Sequence, residues 1–192
     1  APKLKVIGRL GVGLDNIDMP GCKARSITVC PAIGANAVSV AEYVVGSALM
    51  LMRLAAFQST EALMRGEWPR EKTGGGSELA GKTLGIIGFG NIGQTVGERA
   101  RAMGMRLIAH DNYVPASSTA WSHAKRASLD ELLAQSDVLT LHCPLTAETK
   151  GLIGAKQLAQ LRKGALLINT SRGGVVDEPA VAAALRSGHL CG

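Results

Sequence analysis

Aromatic side chains are scarce, 3% of the 192 residues, so the chain has little with which to stack bases. Its 21 Lys and Arg give a formal charge of +6, yet they are scattered and form no binding stripe. Nucleic acid is therefore set aside as a partner, and the positive charge reads as a solvated surface. Long apolar runs are missing as well. The most membrane-like stretch, Tyr43–Met52, lies between Glu42 and Arg53 and is far shorter than the roughly 20 residues that span a bilayer. It reads as a buried helix, and no membrane role is expected. The four cysteines, Cys22, Cys30, Cys143 and Cys191, form no C-x-x-C pair. That spacing argues against a disulfide framework or a metal site and for reduced thiols in the cytoplasm. No signal-peptide pattern opens the sequence, and no repeat of fixed period appears.

What is abundant is Gly, Ala, Val, Leu and Ile, within an apolar fraction of 46%. That composition suits a parallel sheet clothed by helices. The organising stretch is Lys82-Thr-Leu-Gly-Ile-Ile-Gly88-Phe-Gly90-Asn91-Ile92-Gly93. Residues 83–87 are an apolar run of strand length. Glycine then recurs as G-x-G-x-x-G at Gly88, Gly90 and Gly93, and Ile92, Val96 and Ala100 follow at helical spacing. A second strand, 106–110, ends on Asp111. The first glycine permits the tight turn, the second lets backbone approach a pyrophosphate, and the third lets helix and strand pack. The N–H groups of the helix then face the phosphates. Asp111 follows Gly93 at about the distance from which an acid accepts hydrogen bonds from ribose hydroxyls. An acid here, without a basic cluster, favours NAD over NADP.

Around this unit the pattern predicts strands over 4–8 and 27–30, with a short helix over 20–24 between them. A hinge at Pro31–Gly34 follows. Ser39-x-x-Glu42 fits a capping box, with Asn36 as an earlier alternative cap, and a helix apolar on nearly all sides runs to about Met64, ending at Gly66. Such a helix must be covered by other elements or by a second subunit; a homodimer is expected. Residues 67–80 read as loop and 112–126 as irregular. Ser128-x-x-Glu131 is a second capping box, opening a helix to about Gln135. Strands over 137–142 and 165–169 follow, with a helix over 155–161 between them, and Asp177 with Pro179 starts a last helix closed at Gly188. The fold class is α/β, a Rossmann-type doubly wound parallel sheet over 35–192. Residues 1–34 form part of a second unit.

In such sheets ligands bind beyond the carboxyl ends of the strands. Residues 9–13, 88–93, 142–144 and 169–174 lie there. Arg172 follows a strand and precedes two glycines. There it can bind a carboxylate in a bidentate fork and polarise a neighbouring carbonyl, or it can make a surface ion pair; position alone leaves both open. His110, His123, His142 and His189 have no carboxylate at an orienting spacing and read as structural or surface groups.

Taken together, Gly8-Arg9-Leu-Gly11-Val12-Gly13-Leu-Asp15-Asn16-Ile-Asp18, Ala41-Glu42, Leu79 to Gly93, His142-Cys143-Pro144-Leu145, Thr149 to Ile153 and Ile168 to Glu178 resemble the D-isomer-specific 2-hydroxyacid dehydrogenases. The phosphoglycerate branch is the nearest likeness, and the motifs stand in family order. The resemblance implies NAD as cofactor and a small anionic 2-hydroxy acid, first of all 3-phosphoglycerate, as substrate. It gives residues 1–34 to an incomplete, flavodoxin-like substrate domain. It implies that Arg172 is catalytic and also lies against the cofactor, and that Arg9, Gly11, Val12, Gly13 and Asn36 contact substrate, Arg9 receiving a phosphate. Val12, Gly88, Gly90, Asn91, Ile92, Gly93, Asp111, Cys143, Pro144 and Thr170 would contact the cofactor. The family's proton-handling histidine, its glutamate and the aspartate beside the nicotinamide are expected after Gly192, and half of the substrate domain before Ala1. Hydroxypyruvate, glyoxylate or sulfolactate as substrate, a formate dehydrogenase, and an NAD-sensing corepressor remain alternatives.

Overall fold

The computed structural model describes every residue except 54–56 and 58. Two parallel strands open the chain, β1 (Val6–Arg9) and β2 (Thr28–Pro31), connected by helix α1 (Met19–Ala24). The Asp18 carboxylate caps α1 by accepting the Gly21 amide at 3.0 Å. Helix α2 (Ala37–Met52) follows, then two short helices, α3 (Thr60–Met64) and α4 (Arg70–Thr73). The rest is β3 (Thr83–Ile87), α5 (Asn91–Ala102), β4 (Arg106–His110), β5 (Lys125–Arg126), α6 (Leu129–Gln135), β6 (Val138–Leu141), α7 (Ala155–Gln160), β7 (Leu166–Asn169) and α8 (Glu178–Arg186).

The later strands form one parallel sheet in the order β5-β4-β3-β6-β7. From β3 the chain steps outward through β4 to β5, then returns to the other side of β3 for β6 and β7. The direction of winding thus reverses between β3 and β6, and the crevice of a doubly wound sheet opens at such a point.

Burial on both faces explains why these strands read as continuous apolar runs. Leu84 and Ile86 of β3, Leu107 and Ala109 of β4 and Val138 of β6 pack on one face with Ala41, Val44 and Ala48 of α2 and Val96 and Ala100 of α5. Ile87, Ile108, Leu139 and Leu141, alternate positions on the same strands, pack on the other face with Leu132, Leu133 and Leu158. At about 1.5–3 kcal/mol for each large buried side chain, these two layers fix the register on which the loops above them depend.

Several local expectations need correction. Helix α2 begins at Ala37, with Asn36 as N-cap but with no side-chain capping bond. Ser39 is therefore inside the first turn, and the box Ser39–Glu42 does not open the helix. Ala37 and Ala41 are both core residues, so packing sets the start. The helix closes at Arg53, whose amide donates to the Leu49 and Met50 carbonyls. The expected run to Met64 resumes as α3, and its middle lies partly outside the described residues. Nor is α2 buried all round, because Tyr43 is 66% and Met50 45% exposed. Residues 67–80 include the short helix α4, and 112–126 include a 3-10 turn over Thr119–His123 and the edge strand β5. Ser128 accepts the Glu131 amide at 3.2 Å, but the Glu131 carboxylate takes Lys125 Nζ at 2.6 Å instead of closing the box. Among the described residues no helix is long and apolar enough to cross a membrane.

Candidate functional site

The loops that leave β3, β4, β6 and β7 stand together at the carboxyl ends of the strands, and the turn after β1 meets them there. After β3, Gly88 takes φ +88°, and a Cβ on it would lie 2.7 Å from the Cys143 amide nitrogen. A Cβ at Gly93 would lie 2.2 Å from the Gly88 carbonyl oxygen. Neighbouring backbone therefore demands glycine at both positions. Gly90 is different, since a Cβ there would meet nothing within 4 Å. It is the N-cap of α5 and extended, with no side-chain cap. The amides of Asn91, Ile92 and Gly93 have no acceptor among the described residues. Open space over a helix N-terminus with three uncommitted N–H groups is the environment a pyrophosphate requires.

Asp111, at the tip of β4, faces this turn. One carboxylate oxygen accepts the Phe89 amide at 2.7 Å; the other accepts the amides of Tyr113 at 2.7 Å and Val114 at 2.9 Å. Burial works against its charge, but the three amides, with the nearby His110, outweigh burial and hold the carboxyl below its ordinary value. The acid thus secures the glycine turn as well as presenting an oxygen towards it.

Cys143 is buried after β6, and burial raises its thiol pKa. Its neighbour Pro144 begins a loop closed by Thr149, whose hydroxyl donates to the Pro144 carbonyl at 2.5 Å. Tyr113 spans from the β4 loop to this one, donating to Glu148 at 3.0 Å. His142 is partly buried, with Nε2 3.0 Å from the Thr140 hydroxyl and Nδ1 3.3 Å from that of Thr170. Desolvation lowers its pKa to about 4, so the ring is neutral near pH 7.

At the end of β7, Asn169 ties the loop. Its amide nitrogen donates to the Arg172 carbonyl at 2.9 Å, and its oxygen accepts both the Ser171 amide and hydroxyl. Arg172 reaches across to the turn after β1, where Asp15 Oδ2 accepts its Nε at 3.1 Å and its Nη2 at 2.6 Å. Arg9 folds back on that turn, with Nε on the Gly13 carbonyl at 3.2 Å and Nη1 on that of Leu10 at 3.1 Å. Gly11, Val12 and Gly13 form the turn itself, and Val12 is 38% exposed. A Cβ on Gly34 would be 3.5 Å from the Asn91 side-chain nitrogen Nδ2, so the segment before α2 borders the glycine turn, with Asn36 exposed just beyond it.

The structure therefore gathers Gly88–Gly93, Asp111, Cys143, Pro144, Thr170 and Arg172 along the strand ends and brings the 9–15 turn to Arg172. Sequence reasoning missed Asp15, Asn169 and the Tyr113–Glu148 bridge. Asp15 is part of a motif read for its glycines, and its partner is 157 positions away.

Comparison with known proteins decides the family. Residues 45–192 match the family described as D-isomer specific 2-hydroxyacid dehydrogenase, NAD binding domain. The chain belongs to that family. NAD is its cofactor, and the open N-terminus of α5, the uncommitted amides and Asp111 fit it. The (S)-sulfolactate dehydrogenase of Chromohalobacter salexigens is 50% identical over the whole chain, which spans 62% of that protein. The D-3-phosphoglycerate dehydrogenase of Methanocaldococcus jannaschii is 44% identical over 99% of this chain and 36% of its own length. The crystal structure of an NAD-dependent formate dehydrogenase from Staphylococcus aureus in complex with NAD superposes on the whole chain and 57% of that protein, with a TM-score of 0.85 and 38% identity. This 2-hydroxyacid dehydrogenase domain thus spans less than two thirds of each of these relatives.

Proposed function

We propose that the whole protein is an NAD-dependent oxidoreductase acting between a small anionic D-2-hydroxy acid and its 2-oxo form. Bound NAD supplies the acceptor, or the donor, of the hydride exchanged with the substrate's C2. The observation that carries this reading is an arginine at the mouth of the dinucleotide crevice, Arg172, on a loop tied by Asn169. Arg172 binds the substrate carboxylate and polarises the C2 carbonyl. The amides of Gly11, Val12 and Gly13 hold the carboxylate from the other side, with Asn36 nearby. Val12 would lie on the nicotinamide side, and Cys143, Pro144 and Thr170 would line the cofactor. Asn91 and Ile92 bind the pyrophosphate with the glycines, and Asp111 accepts the ribose hydroxyls. The partly buried His142, engaged by two threonines and with its pKa lowered to about 4, is a poor proton donor at neutral pH.

Arg9 commits Nε and Nη1 to its own turn and keeps Nη2 for the distal group of the substrate. That favours a second anion, as in 3-phosphoglycerate. The higher identity to the sulfolactate dehydrogenase supports a sulfonate there as the second reading. Both tests fit one experiment: NADH formation by the full-length enzyme given NAD with D-3-phosphoglycerate, sulfolactate or glycerate. Preference for a doubly anionic acid is expected. Tight NADH binding without turnover of any of them would favour the sensing module instead.

Residues 1–34 are assigned to the substrate domain and 35–192 to the cofactor domain, in a cytoplasmic protein. A homodimer is the reading of α2, whose Tyr43 and Met50, seven residues apart on one face, are 66% and 45% exposed and would be covered by a second copy. A monomer by sedimentation at micromolar concentration would contradict it.

A further inference from the structure

We infer that Asp15 is a positioning residue for Arg172. It holds the guanidinium by one edge, so that the remaining two N–H groups form a fork aimed at the substrate. This rests on the reading of Arg172 as the substrate's anchor.

A guanidinium carries five N–H donors in fixed planar geometry. Asp15 Oδ2 takes those of Nε and Nη2, at 3.1 and 2.6 Å, and the Ser171 carbonyl takes one of Nη1 at 2.8 Å. Among the described residues nothing accepts the other two, one on each terminal nitrogen. They belong to the two terminal nitrogens, the pair with which a guanidinium meets a carboxylate end-on. The two acceptors already engaged thus limit how the group can turn.

Gly13 makes the arrangement possible. A Cβ there would lie 2.0 Å from Arg172 Nη2 and 2.8 Å from Asp15 Oδ2, so a side chain at this position would have to displace one or both of the charged groups from where they stand. The contact also joins the turn after β1 to the loop after β7. Both partners are substantially exposed, with side-chain exposures of 42% and 62%, and exposed pairs contribute little to stability. Its consequence is orientation. Without the carboxylate the long arginine side chain regains its rotamers, and the free fork loses its aim. Asp15 also stays ionised, because the hydrogen bond from Arg172 and the charges of Arg172 and Arg9 hold its carboxyl below the ordinary value.

The test uses full-length enzyme with NADH and the preferred oxo acid, in four forms besides wild type: Asp15→Asn, Asp15→Glu, Arg172→Lys and the double variant Asp15→Asn/Arg172→Lys. Misplacing a catalytic group by about 1 Å costs on the order of 100-fold. Asp15→Asn is expected to lower kcat/KM by roughly 10- to 100-fold, with NADH affinity by calorimetry within about twofold of wild type. Asp15→Glu, which keeps the charge, is expected to recover part of the loss. The double variant should be no worse than Arg172→Lys alone, because Asp15 acts through the arginine. Effects that multiply in the double variant, or wild-type turnover in Asp15→Asn beside a crippled Arg172→Lys, would overturn the positioning role alone. Wild-type turnover in Arg172→Lys would overturn the anchor reading itself, and the positioning role with it.

Discussion

Two glycine-rich turns face the same crevice, and they are held by different forces. The turn after β3 is fixed by packing. Its first and third glycines are pressed against backbone, its start is bonded to Asp111, and the strand beneath it is buried on both sides. The turn after β1 sits on a two-stranded sheet, half open to solvent, and is held by the side chains of Arg9, Asp15 and Arg172. A preformed backbone cradle suits a cofactor whose shape does not vary. A turn held by exposed charges is adjustable and screened by salt, which suits a substrate that brings its own charge.

The largest break in this contrast is expected at Gly93. A methyl group 2.2 Å from the Gly88 carbonyl forces strand and helix apart. Overpacking of this kind typically costs about 1–3 kcal/mol, and Gly93→Ala should unfold at lower temperature and lose NADH binding. Calorimetry and thermal melts check both. Next is the acid side. His142 has a folded pKa of about 4 against 6.5 unfolded, so the unfolded chain takes up its proton first. Stability should be full above about pH 6.5, fall as pH drops through that window and level off near pH 4. Each pKa unit is about 1.4 kcal/mol, so the loss reaches about 3 kcal/mol. Urea midpoints across pH would show this slope, and His142→Asn should flatten it.

Asp111→Ala should weaken NAD about tenfold, one charged hydrogen bond being worth roughly 1.5 kcal/mol. It should also narrow the preference over NADP, since Arg126 lines the same cavity as Asp111. Unchanged NAD affinity by calorimetry would count against the assignment. Because Asp111 also anchors Phe89, the melting temperature should fall slightly. The smallest structural effect belongs to Gly90→Ala. Its added methyl meets no protein atom within 4 Å, so the melting temperature should hold while NADH affinity falls. A drop in both would mean that Gly90 serves packing, like its neighbours.

Much of this fold was legible in sequence because its strands are buried on both faces. The runs over 83–87 and 106–110 coincide with β3 and β4, and the caps Ser128 and Asp177 stand where polar residues precede helical spacing. At the start of α2 the alternative, Asn36, holds the cap position rather than Ser39, because Ala37 is wanted in the core. The glycine turn and Asp111 were visible through local spacing. The tie between Asp15 and Arg172 was not, because no local rule joins residues 157 apart. Only the folded chain brings the two turns together.

The most direct test of the division between cradle and charge is Arg172→Ala in the full-length enzyme, with turnover and NADH affinity measured on the same preparation. Turnover reduced by at least about 100-fold, with NADH affinity unchanged, is the predicted result. Turnover that survives the substitution would contradict the account.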